Sequence, residues 1–310
     1  MWHAGLLYKL RKLGTPSVLF KIIRSFILGR TFAVWLNNTS SSTEHISAGV
    51  PQGSSLSPLL YNIYTADFPP PSKSQMATFA ADTTLFISNS NCERGAKFLQ
   101  EDLNHFVNWA QKWRIALNAS KTICKVFTLR RIPILPPLRI LNTPIPWADK
   151  STSIKYLGLY FDTKLTWKDH ISKVEKSTKR KIGKLYPLIN KKSHPKTDTA
   201  ISIYKSIVRP SMTYAFTIWG GASNSTLKKL QTIQNKFLRL AIKAPWYITN
   251  EQIHNELNMP LLTEFLSKLS NSFLSNLNQC PSINTFNLNR NGPTNPRVKS
   301  KFPKDVFFPP

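Results

Sequence analysis

The chain has 310 residues, 41% of them hydrophobic, enough for one large domain or two ordinary ones with a packed core. Lys and Arg number 42 against 15 Asp and Glu, a net charge of +27. An enzyme of small neutral substrates has no use for that imbalance, whereas a polyanion partner or an acidic membrane surface explains it. No apolar run approaches the ~18 residues of a membrane span. The N-terminus, MWHAGLLYKLRKLGT, lacks the apolar core and cleavage site of a signal peptide. Cys92, Cys124 and Cys280 are odd in number and far apart, fitting neither a zinc site nor a disulfide framework. They read as reduced thiols of an intracellular protein, nuclear or cytoplasmic.

Apolar residues at helical spacing predict helices over His3–Lys12 and Pro16–Leu28, with Thr15 as N-cap and Pro16 at the first helical position. Leu6, Leu7 and Leu10 form one apolar face, and Val18, Leu19, Ile22, Ile23 and Phe26 the other. Thr31–Leu36 reads as a strand, Asn37–Ser42 as a turn and Glu44–Ser47 as the return strand. A Gly-, Ser- and Pro-rich loop, Ala48–Ser57, leads into a helix with Pro58 in its first turn and its end near Asp67. Pro69-Pro70-Pro71 breaks the chain. Met76–Ala80 and Thr84–Ser88 are short apolar runs around Ala81, Asp82 and Thr83, the pattern of a tight hairpin with one carboxylate at its tip. A lone Asp there is also what an ordinary Asx-turn looks like.

Glu93–Lys112 is an amphipathic helix, with Phe98, Leu103, Phe106, Val107 and Trp109 opposed to Glu101, Asp102 and Lys112. Thr122–Leu129 alternates as a strand does. Pro133–Pro146 is a proline-rich connection with a short strand near Leu138–Leu141, and Ile154–Phe161 is a strand ending at Asp162. Composition then shifts. The helix His170–Leu188 carries Lys173, Lys176, Lys179, Arg180, Lys181 and Lys184 against Glu175 alone. Like charges at helical spacing repel unless an anion is near, so this helix is expected to face phosphate, with a solvated face as the plain alternative. Thr197–Val208, Thr226–Ile242 and Leu261–Leu277 are further helices. From Cys280 on, Asn, Pro and Ser dominate, and a disordered tail is expected. Three regions result: 1–163, 164–278 and 279–310.

Four blocks in this order, SAGVPQGSSLSPLLYNIY, TFAADTTLFIS, WRIALNASKT and IKYLGLYFDTKLTWKDHI, resemble the reverse transcriptases of non-LTR retrotransposons, especially the jockey-like group. WHAGLLYKL is similar to the segment after that family's first catalytic motif, and YAFTIWGGAS to the segment after its palm. The resemblance implies an α+β right-hand polymerase palm with incomplete fingers, followed by a helical thumb-like region. It implies RNA or an RNA–DNA primer–template as partner, no membrane, and Mg²⁺ as cofactor. Two such ions would stabilise the attacking and leaving oxygens of nucleotidyl transfer.

Carried over residue by residue, Pro51, Gln52 and Gly53 lie against nucleotide and template, where Gly53 permits close backbone approach. Phe79 sits beneath the hairpin or against the nucleotide, with core packing an equal reading. Lys121 is either the acid that protonates pyrophosphate or a surface lysine. Tyr156, Leu157 and Gly158 are the primer grip. From its charge rather than from the resemblance, the basic helix is expected to contact phosphate backbone through Lys173, Lys176, Lys179, Arg180, Lys181 and Lys184. His170 reads as structural.

The sequence departs from the family twice. Where the family has paired aspartates, Ala81 replaces the first and only Asp82 remains. The other metal carboxylate belongs to an Ala-Phe-Asp motif that would precede Met1. Upstream of Asp82 the chain holds only Glu44 and Asp67, neither in a matching block. The expectation is an N-terminally truncated, degenerate enzyme that does not polymerise, whose palm lacks the strand beside its hairpin. The alternatives are a non-catalytic nucleic-acid-binding protein and a degenerate element copy with no selected role.

Overall fold

The computed structural model describes residues 1–190, 193 and 196–278, so the tail expected over 279–310 and the thiol of Cys280 lie outside the described residues. The chain forms two compact units. The first is Met1–Val126 with Arg130–Ala148; the second is Phe127–Leu129 with the chain from Asp149 on. Residues 149–163 therefore pack with the helical region.

In the first unit α1 (His3–Lys12) and α2 (Ser17–Ile27) precede four two-residue strands: β1 (Thr31–Phe32), β2 (Trp35–Leu36), β3 (Thr39–Ser40) and β4 (Glu44–His45). Next come α3 (Leu56–Thr65), β5 (Gln75–Phe79), β6 (Asp82–Phe86), α4 (Cys92–Lys112), β7 (Leu138–Ile140) and β8 (Thr143–Ile145). Each of the first three helices gives the core a pair of side chains one turn apart, Leu6 and Leu10, Ile23 and Ile27, Leu60 and Tyr64, which form one cluster with Trp113. A second cluster packs Ala96 and Val107 of α4 on Leu138, Ile140, Ile145 and Cys124.

Several expectations need correction here. Pro16 is the N-cap of α2 rather than its first residue, and the Thr15 hydroxyl donates to the Leu10 carbonyl, closing α1 instead. Of the apolar face expected on α2, Val18, Leu19 and Ile22 are exposed. The expected strand over Thr31–Leu36 is split, and the turn is the pair Asn37-Asn38, both at positive φ. Asparagine tolerates that conformation, and so do the tight turns whose twist matches paired strands. Thr122–Leu129 forms no strand. Among the described residues its alternation finds an isolated bridge from Cys124 to Trp147 and a backbone bond from the Thr128 amide to the Thr163 carbonyl, without a strand running beside it. β8 was not anticipated, since Pro144 disguises it.

The second unit holds a short hairpin, β9 (Ile154–Tyr156) and β10 (Leu159–Phe161), then α5 (Lys168–Ile189) and α6 (Thr197–Ile203). A π-turn, Tyr204–Val208, leads into α7 (Arg209–Thr213), α8 (Phe216–Trp219), α9 (Asn224–Ala241), α10 (Asn250–Glu256) and α11 (Leu262–Asn278). Pro210 accounts for the π-turn: it has no N–H and its ring crowds the carbonyl four residues back, so the helix widens there. Asp162 initiates α5 by accepting from the amides of Lys164, Thr166 and Trp167. The core runs through Ile171, Tyr204, Val208, Met212, Trp219, Leu230 and Phe237. Among the described residues no helix is long and apolar enough to cross a membrane.

Candidate functional site

The carboxylate-bearing hairpin is β5–β6, and its register differs from the sequence expectation. Phe79 pairs with Asp82, so the turn is Ala80-Ala81 and Asp82 opens the return strand. Two residues close the hairpin because Ala80 accepts a φ of 51°, an unfavourable setting for alanine that costs roughly 1–2 kcal/mol. Phe79 is 64% exposed, which excludes the core reading for its ring. Among the described residues β5 and β6 pair only with each other.

The hairpin is anchored at its base. Asp102 of α4, expected on a polar face, is only 3% exposed. Its carboxylate accepts from the amides of Ser72, Lys73 and Ser74 and from both serine hydroxyls, at 2.7–3.1 Å. Burial alone would raise its pKa, but those donors outweigh burial and hold it well below the usual carboxylate range. The three residues it grips lead directly into β5.

The other upstream carboxylates are engaged elsewhere. Asp67 accepts from Lys9 Nζ at 2.5 Å and from Trp109 Nε1 at 3.2 Å. Lys9, 5% exposed, also donates to the Tyr64 carbonyl and lies 3.6 Å from the centre of the Trp113 ring. Burial lowers its pKa, and the Asp67 carboxylate opposes that. Glu44 is an exposed strand residue accepting from the Ser42 hydroxyl. Among the described residues no three His, Cys, Asp or Glu side chains gather as a metal site would need.

The Pro51–Gly53 loop is held from both ends. The Ser57 hydroxyl donates to the Pro51 carbonyl at 2.6 Å, and His3 Nε2 donates to the Gly49 carbonyl at 2.7 Å. Gly53 takes a φ of 84° with open space where a side chain would be, and Gln52 is exposed. Lys121 ends a short 3₁₀ turn capped by Asn118 and is exposed. No hydrogen bond or ion pair among the described residues joins Asp82 to the Pro51–Gly53 loop or to Lys121.

In the second unit, Tyr156, Leu157 and Gly158 belong to the β9–β10 hairpin rather than to one continuous strand, and its turn is Leu157-Gly158, with φ of 46° and 82°. The Tyr214 hydroxyl donates to the Leu157 carbonyl at 3.0 Å, and a Cβ on Gly158 would lie 3.0 Å from the Tyr214 ring. Tyr214 opens the YAFTIWGGAS block, so the signal was present in the sequence without its partner. Of the α5 cations, Lys179 is ion-paired with Glu175 at 2.6 Å. Lys173 lies 3.7 Å from the centre of the Tyr160 ring. Lys176, Arg180, Lys181 and Lys184 are exposed.

His170 is 2% exposed, packed against Tyr160, Trp167 and Trp219. Its Nδ1 accepts from the Tyr160 amide at 3.4 Å, which leaves the ring proton on Nε2. Nε2 has no partner among the described residues. Desolvation pulls the ring's pKa down to about 4, so it is neutral at pH 7.

Residues 1–161 match the family described as reverse transcriptase (RNA-dependent DNA polymerase). A probable RNA-directed DNA polymerase from transposon X-element of Drosophila melanogaster is 34% identical over 99% of this chain and 34% of its own length. The RNA-directed DNA polymerase from mobile element jockey of Drosophila funebris is 33% identical over 91% of this chain and 31% of its own length. A probable RNA-directed DNA polymerase from transposon BS of Drosophila melanogaster is 32% identical over 91% of this chain. The chain thus spans about a third of the length of the curated relatives it matches. With a family match over more than half its length, and with the palm fold which that family implies, the chain belongs to the reverse transcriptase family.

Proposed function

We propose that this chain is a portion of a non-LTR retrotransposon RNA-directed DNA polymerase that, taken alone, does not transfer nucleotides but binds RNA or an RNA–DNA primer–template. The observation that carries this reading is the isolation of Asp82 on the β5–β6 hairpin, next to Ala81. Two-metal transfer needs carboxylates from separate strands converging on both ions, and a single exposed carboxylate does not hold two dications against their mutual repulsion. Asp67 is not available, being held by Lys9 and Trp109. The residues present therefore do not fit a magnesium pair, and no step is derived through one. The family in general uses Mg²⁺.

Binding is supported by the charge of the helical second unit, the thumb-like part of this reading. Lys176, Arg180, Lys181 and Lys184 are exposed on α5, and Tyr156-Leu157-Gly158, retained as the primer grip, lies in a hairpin whose turn accepts a bond from Tyr214. Pro51, Gln52, Gly53 and Phe79 are retained as nucleotide and template contacts, and Lys121 as an exposed candidate acid without a paired reaction centre. The test measures binding against salt. Affinity for a primer–template falls steeply as salt rises, with little sequence preference, because phosphate contacts release counterions. An affinity indifferent to salt overturns the binding half of the proposal, and templated primer extension overturns the other half.

A further inference from the structure

A cleft of about 640 Å³ opens in the second unit between the β9–β10 hairpin, α5 and the π-turn segment. Lys155, Lys173 and Lys181 line it, together with Ser177, and no carboxylate does. His170 lines it too, and its side-chain Nε2–H is buried and unpartnered among the described residues. Leaving such a group unsatisfied costs about 1–3 kcal/mol, so a buried donor on a residue that lines a cationic cleft points to an acceptor that completes it. Lys173, Ser177 and Lys181 fall on one face of α5, and the eight helical steps from Lys173 to Lys181 extend about 12 Å, longer than a single phosphate. The wider helical turn at Tyr204–Val208 places Ser206 and Ile207 on the opposite wall.

We propose that this cleft binds the phosphodiester backbone of a polynucleotide, with Lys155, Lys173 and Lys181 supplying positive charge and His170 Nε2–H donating to a phosphate oxygen. The proposal rests on the nucleic-acid binding proposed above and gives it a location. It also divides the cations of α5: Lys173 and Lys181 line the cleft, and Lys179 does not, being paired with Glu175.

The experiment titrates the full chain, labelled with ¹⁵N-histidine, with a DNA or RNA oligonucleotide and separately with inorganic phosphate. Binding is followed by anisotropy and by the His170 Nε2–H resonance, assigned by its loss in His170→Gln. At ~0.1 M salt, removing one phosphate contact is expected to weaken binding about five- to eightfold. Lys155→Gln, Lys173→Gln and Lys181→Gln should each do so, Lys229→Gln on α9 should change affinity less than about twofold, and the oligonucleotide should shift the His170 resonance. Oligonucleotide binding with the three variants behaving like Lys229→Gln and an unmoved resonance overturns the cleft while leaving the basic helix as the binding surface. No oligonucleotide binding at all overturns both proposals. A resonance shifted by submillimolar inorganic phosphate, with no tighter binding of the oligonucleotide, assigns the cleft to a free phosphate and overturns the backbone assignment.

Discussion

Asp102→Asn is the substitution whose consequence follows most directly from the geometry. One carboxylate oxygen receives the Ser72 amide and hydroxyl, and the other receives the Lys73 and Ser74 amides and the Ser74 hydroxyl. An asparagine oriented to keep the second set turns its NH₂ toward the first. The Ser72 hydroxyl can rotate to accept, but the Ser72 amide is stranded, at a cost of about 1–3 kcal/mol. The three retained bonds also lose their ionic partner, so a total near 3 kcal/mol is expected. Hydrogen exchange of the Gln75–Phe86 amides should then quicken about a hundredfold at pH 7, since 1.4 kcal/mol is tenfold. The pH dependence supplies a second check. A carboxylate held below its unfolded pKa, near 3.9, stabilises fully above that value and stops doing so as pH falls toward the folded one. The difference between wild type and variant should therefore be complete at neutral pH and shrink below about pH 4. A difference that stays constant down to pH 2, or protection unchanged at pH 7, would refute the anchoring role of Asp102.

Further outcomes are expected. Ala81→Asp alone leaves primer extension at background, because the two carboxylates then come from one turn and repel, while among the described residues no second strand brings another to them; robust synthesis by that variant would mean the metal site is misplaced. Neutralising Lys176, Arg180 and Lys184 together flattens the salt dependence of binding by close to three contacts' worth, roughly 2–3 in log–log slope; an unchanged slope would put the contact surface elsewhere. Gly158→Ala destabilises the second unit by about 1–2 kcal/mol in urea unfolding, because alanine is strained at positive φ and its Cβ presses on the Tyr214 ring. Unchanged stability would mean the Leu157-Gly158 turn relaxes freely.

The longer helices were legible because apolar residues recur within one turn, as Leu6 with Leu10. On α2 the period was right but the face was not, since Ile23 and Ile27 are the buried pair, and the short helices α7, α8 and α10 gave no such signal. Hairpin tips were less legible. Ala80-Ala81 lacks Gly or Asn, and a two-residue loop is indistinguishable in sequence from the three-residue one expected. Thr122–Leu129 shows that alternation without a partner strand makes no sheet. Asp102 was misread because its donors lie about thirty residues upstream in a serine loop, and a carboxylate on an amphipathic helix otherwise reads as solvated. The site blocks were legible as an ordered set. What sequence could not supply was long-range pairing: Tyr214 with the Leu157 carbonyl, Lys9 with Asp67, and the burial of His170 among three aromatic rings.

The β5–β6 hairpin, with Asp82 alone, is proposed not to run nucleotidyl transfer in a chain proposed to bind nucleic acid. Primer extension with Mg²⁺ and with Mn²⁺, on a labelled primer–template shown by anisotropy to be bound in the same sample, tests it most directly. The expected result is a bound primer that stays unextended with either metal. Template-directed addition of even a few nucleotides to that primer, abolished by Asp82→Asn, would contradict it.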